Sequence, residues 1–75
     1  MEIGLNKYKY EILEGMVSVK GLTSNSLIRL YDTTGRIIMS KNVEAESSMF
    51  RLPNKGVYII NISSDNKIEN KKIIW

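Results

Sequence analysis

The sequence contains no cysteine and no histidine. Without cysteine there is neither a disulfide framework nor a thiolate zinc site to supplement the core, and the redox compartment cannot be read from cysteine usage. Without histidine the chain lacks the commonest general base, the commonest metal ligand and the usual base partner of a serine or cysteine nucleophile. A non-enzymatic chain with no cofactor and no metal is therefore expected. Proline occurs once, and no Pro-rich or Gly/Ser-rich linker divides the chain. No apolar run approaches the ~20 residues needed to cross a bilayer, and Met1 to Gly15 lacks the continuous apolar stretch of a signal peptide. The net charge of +3 is modest, with lysines scattered rather than gathered into a stripe, so nucleic acid is not an expected partner. A chain of 75 residues buries only about 60% of the surface its unfolded form exposes, which allows one core and a single domain over residues 1–75.

Most of the chain alternates apolar and polar residues with period two, and turn residues recur about every ten positions, the pattern of an antiparallel sandwich. The spacing predicts a strand from Lys7 to Leu13, with Tyr8, Tyr10 and Ile12 on its apolar face. A turn at Glu14-Gly15 follows, then a strand from Met16 to Lys20 and a loop from Gly21 around Leu22. Ser26 to Tyr31 is apolar on both sides, as a central strand would be. Asp32-Thr33-Thr34-Gly35 is a tight-turn signal, since Asp accepts from backbone amides ahead of it and Gly tolerates the positive φ that closes a type I turn with a bulge.

Arg36 to Lys41 is expected to return antiparallel, Asn42 to Ser47 to form a polar connector, and Ser48 to Leu52 a short strand. Pro53-Asn54-Lys55-Gly56 turns the chain into Gly56 to Ser63, whose β-branched residues suit a sheet centre. A turn at Ser64-Asp65-Asn66 leads to Lys67 to Trp75, half charged as an edge strand should be. About seven short strands without a helix predict an all-β, immunoglobulin-like or Greek-key antiparallel β-sandwich.

Few residues here converge for chemistry. Glu44 and Glu46 lie two apart in the polar connector, where solvation explains them. Asp32 with its two threonines lacks the further carboxylates that a calcium site requires. Tyr8 and Tyr10 alternate with lysines and, with Trp75, could stack on sugar rings, so a carbohydrate-binding or adhesion module appended to a secreted enzyme is the alternative reading. An unpaired edge also allows strand-mediated self-association.

Three blocks in order carry a resemblance: Ile28-Arg29-Leu30-Tyr31-Asp32-Thr33-Thr34-Gly35-Arg36, then Leu52-Pro53-Asn54-Lys55-Gly56-Val57-Tyr58-Ile59-Ile60, then Asn70-Lys71-Lys72-Ile73-Ile74. The chain resembles, over about residues 17–75, the C-terminal sorting domain (type A) of the bacterial type IX, or Por, secretion system. In that family an apolar strand enters an Asp-x-x-Gly-Arg turn, a Leu-Pro-x-Gly-x-Tyr turn opens the next long strand, and a Lys-Lys-Ile-like strand finishes the protein. The family's frequent Tyr-Pro-Asn-Pro segment is absent, its place taken by Lys7 to Ile12, which leaves the N-terminal boundary open.

The resemblance implies a C-terminal fragment of a larger Gram-negative precursor, whose covalently linked N-terminal cargo passes through the periplasm to the cell surface or is secreted. It implies as partners the outer-membrane secretion machinery and a surface sortase that removes the domain. Asp32, Gly35, Gly56 and Tyr58 match the family's turn and strand positions, and the two glycines are expected to act through turn geometry. Lys71, Lys72 and Ile73 are the candidates for recognition, in a terminal strand whose edge a receptor would read by strand addition.

Overall fold

A computed structural model describes residues 8–22, 25–64 and 67–75. Among them the chain forms seven strands and no helix: β1 (Lys9–Leu13), β2 (Met16–Lys20), β3 (Ser26–Asp32), β4 (Ile37–Val43), β5 (Ser47–Arg51), β6 (Val57–Ser64) and β7 (Lys67–Ile74). They make two antiparallel sheets, ordered β1-β2-β5 and β4-β3-β6-β7. The chain changes sheet three times. After the β1–β2 hairpin it crosses to β3 and β4, returns to set β5 beside β2, and crosses again to set β6 beside β3. This is the interleaved connectivity of an immunoglobulin-like sandwich.

The core lies where the inward faces of the two sheets meet. Val17 and Val19 from β2, Ile28 and Leu30 from β3, and Ile60 and Ile62 from β6 are almost wholly buried. Each contributes roughly 1.5 to 3 kcal/mol relative to an exposed position. Phe50, Leu52, Tyr58 and Ile73 close the same cluster. With no disulfide available, this layer and the ladders hold the fold.

The strands form where the alternation and the turns predict them, with boundaries that differ for identifiable reasons. β4 runs to Val43 instead of Lys41, because Val43 pairs with Ser26 and fills the core, which shortens the polar connector to residues 44–46. A bulge between the pairs Leu30–Met39 and Tyr31–Ile37 leaves Ile38 as an extra residue on β4, and this interrupts the alternation from which that strand was read. Leu22, expected in a loop, is buried, and the backbone N–H groups of Gly21 and Leu22 both donate to the Glu46 carbonyl at 3.0 and 2.9 Å. β1 starts at Lys9, and Lys7, the expected start, lies outside the described residues. So do Asp65 and Asn66, the expected turn between β6 and β7, although the pair Ser64–Lys67 on either side is in register.

Candidate functional site

The Asp32 turn adopts the geometry its residues dictate. Asp32 Oδ1 accepts from the Thr34 amide at 2.9 Å, the Thr34 hydroxyl at 2.6 Å and the Arg36 amide at 3.0 Å. Gly35 donates to the Asp32 carbonyl at 3.1 Å and takes a φ of 89°, which a side chain rarely adopts. The Thr34 hydroxyl bond, followed by the Arg36 amide bond, holds the Asp32 carboxyl below its ordinary value. Its ion pair with Arg36, at 3.8 Å, is exposed and adds little.

The crossover from β5 to β6 is held by Tyr58. Its hydroxyl donates to the Asn54 carbonyl at 2.6 Å and accepts from the Asn54 amide at 3.3 Å, while the ring is buried in the core. A tyrosine at the start of a strand that fastens the preceding corner is a recurrent device of immunoglobulin-like sandwiches. Gly56 at this corner exchanges two backbone hydrogen bonds with Trp75, at 3.0 and 3.1 Å.

These contacts bring the three sequence blocks to one end of the sandwich. Asp32 is the ladder partner of Tyr58, and Tyr58 is the partner of Ile73, so one row crosses β3, β6 and β7. Beneath that end lies the β1–β2 hairpin, where Glu14 and Gly15 take positive φ values of 50° and 82°, as a two-residue type I′ turn requires. The Gly15 carbonyl accepts from the Leu52 amide at 2.8 Å.

Along the side of the sandwich, side chains of β1 and β7 meet. Tyr10 donates to Glu69 Oε2 at 2.9 Å, and Lys71 Nζ lies 5.8 Å from the centre of the Tyr10 ring. Burial, and then the bond to Glu69, raise the Tyr10 phenol well above its ordinary value. Tyr8, nearby, is 8% exposed, with its hydroxyl 3.4 Å from Ser64 Oγ.

These positions correct the reading of Tyr8, Tyr10 and Trp75 as an exposed aromatic platform. Tyr8 is core, Tyr10 is half-buried and bonded, and the Trp75 ring packs against Gly15 with Lys55 Nζ 5.9 Å from its centre. The sugar-stacking alternative has no free ring among the three. Glu44 and Glu46 are exposed, as a solvated connector requires.

The recognition candidates divide by strand parity. Lys72 points outward, Lys71 points to the β1 seam, and Ile73 is buried against the other sheet. Because Trp75 and Gly56 exchange both backbone bonds, the antiparallel phase turns the N–H and C=O groups of Ile68, Asn70, Lys72 and Ile74 away from β6. β7 is the last strand of its sheet, so among the described residues no strand pairs with that edge. Ile68 and Ile74 on it are 72% and 66% exposed, which the expected charged edge did not foresee. The sequence pattern places both on the outward face; what it does not carry is that, among the described residues, no element covers them.

A family model described as a secretion system C-terminal sorting domain matches residues 13–75. No curated protein matches the chain.

Proposed function

Because the chain belongs to the family of secretion system C-terminal sorting domains, we propose that the free edge of β7 is the element the secretion machinery reads. The domain is a sorting signal for type IX secretion, and a protein that carries it is exported to the cell surface or released by a Gram-negative bacterium. The family works as a signal and not as a catalyst. One observation carries the proposal: an eight-residue edge strand without a bulge, presenting unpaired backbone groups beside two exposed isoleucines. Edge strands of monomers are usually shortened, bulged or charged to prevent such pairing, and of these β7 has the charges but neither the short length nor a bulge. The β4 edge has its bulge, and β1 and β5 have five residues each.

A receptor strand added to β7 would draw affinity from main-chain hydrogen bonds and selectivity from alternate side chains. Lys72 would meet it directly, Lys71 at the seam, and Ile73 would fix the strand by anchoring it in the core. The covalently linked cargo lies on the N-terminal side, residues 1–75 act as one domain, and a sortase at the surface separates the two.

The test uses proline at position 70, whose amide faces away from β6 and can be lost without breaking the internal ladder. Residues 1–75 are fused to a signal-peptide-bearing fluorescent reporter in cells with and without a working type IX system. Asn70→Ala is expected to reach the surface and Asn70→Pro, still folded, to remain in the periplasm. Normal surface arrival of Asn70→Pro would sink the edge reading.

A further inference from the structure

The outer face of the four-stranded sheet is divided sharply along its length. Its ladder rows run Asn42–Leu27–Ser63–Ile68, then Ser40–Arg29–Asn61–Asn70, then Ile37–Tyr31–Ile59–Lys72, with Val57–Ile74 beyond. The middle of the face is polar, and there Asn61 Nδ2 donates to Asn70 Oδ1 at 2.9 Å. The end nearest the Asp32 turn is apolar on every strand. Ile37, Ile59 and Ile74 are 53%, 37% and 66% exposed, and Tyr31 and Val57 are half-buried among them. Ile59 is on a central strand, so this cluster is not a feature of the edge.

The charge on the rows of this face has one sign: Arg29 and Lys72 point outward from it, while Arg36, at the turn beside it, is paired with Asp32. Among the described residues the rows contain no carboxylate. Asp32, at the end of β3, already has its oxygens engaged by Thr34 and Arg36. Glu69 lies on the opposite side of β7, bonded to Tyr10.

We propose that this apolar end, formed by Ile37, Tyr31, Val57, Ile59 and Ile74 beside Lys72, is a second docking surface of the sorting domain, for a protein with an apolar centre and carboxylates at its rim. Charge complementarity selects that occupant: an apolar patch rimmed by cations and free of carboxylates fits an acidic rim and repels a basic one. The inference rests on the sorting role and shares Lys72 and Ile74 with the β7 edge, but Ile37, Tyr31 and Ile59 lie on the other three strands of the sheet and belong to the face alone.

The test uses the same reporter fusion. Ile59→Thr with Ile74→Thr keeps β-branched residues in both strands while removing apolar surface. It is expected to lower surface arrival about tenfold or more while the domain stays folded. A series at position 72 is expected to follow charge, with Lys72→Arg like the unaltered chain, Lys72→Gln lower and Lys72→Glu lowest. If the double variant fails to fold, Ile37→Thr on β4, far from the β7 edge, takes its place and is likewise expected to lower surface arrival.

Unchanged export of a folded double variant, or indifference to the sign of charge at position 72, would overturn the proposal. So would two results with the isolated domain: binding to phosphatidylglycerol vesicles that the double variant loses, which makes the occupant lipid, or a dimer in sedimentation equilibrium that it loses, which makes it a second copy. Loss of export with Ile59→Thr and Ile74→Thr while Asn70→Pro exports normally supports the face and rejects the edge. The opposite pattern rejects the face alone.

Discussion

The indole of Trp75 occupies the space that a side chain at position 15 would need: a methyl group on Gly15 would lie 2.6 Å from its nearest ring carbon. The contact joins the β1–β2 hairpin of one sheet to the residue after β7 of the other, and it makes Gly15 obligatory twice over, by φ and by space.

Gly15→Ala is therefore expected to cost about 2 kcal/mol or more in urea unfolding, combining the φ penalty with a clash against a packed ring. Gly35→Ala is its control. Gly35 has a similar φ of 89° with nothing within 4 Å of an added methyl, so the cost there is about 1 kcal/mol. Adding Trp75→Ala to Gly15→Ala should cost less than the sum of the two single changes, with a coupling of about 1 kcal/mol. Equal costs at positions 15 and 35 would refute the steric part of the argument.

Tyr58→Phe keeps the buried ring and deletes the hydroxyl that both donates to and accepts from the Asn54 backbone. A loss of about 1 to 2 kcal/mol in chemical denaturation is expected, with the far-ultraviolet circular dichroism unchanged. No measurable loss would mean that water replaces the hydroxyl at that corner.

Stability at acid pH should depend on Asp32. Its carboxyl has a lower pKa folded than unfolded, so its contribution is complete above the ordinary carboxyl range and is lost as pH falls through the lowered value. Thermal midpoints between about pH 6 and pH 2 should fall for the unaltered chain, and Asp32→Asn should flatten part of that decline. Superimposable curves would remove Asp32 from the account.

At alkaline pH the relevant group is Tyr10. Burial and the Glu69 bond raise its folded pKa, so the neutral phenol stabilises the fold below the unfolded value of about 10, and that contribution is lost as pH rises through the higher folded value. An ultraviolet absorbance titration should show a late-ionising tyrosine that Tyr10→Phe removes. A titration of Tyr10→Phe that retains the late component would assign it to another ring.

The local structure was legible wherever one residue type has one physical use. The Asp32 acceptor and the Gly35 φ define their turn without reference to the rest of the chain, and the β-branched alternation of residues 57–62 marks a sheet centre. Legibility failed where the deciding partner was distant. Val43 extends β4 because Ser26 stands opposite it, and Tyr8, placed by the alternation on an apolar face but also read as a ring free to stack on sugars, is core because the facing sheet covers it. The bulge at Ile38 hid the true length of β4 by breaking the alternation. The three motif blocks could be read in order, but their meeting at one end depends on the pairs Asp32–Tyr58 and Tyr58–Ile73, which no local spacing encodes.

That convergence has a consequence for what kind of label this is. A linear tag can be read from a chain that is unfolded, misfolded or half made, whereas a row assembled from β3, β6 and β7 exists only after the final strand has docked on β6 and buried Ile73. An address read at this end would thus also be a certificate of folding. A receptor that reads this end of the sandwich inspects the workmanship of the domain as well as its destination.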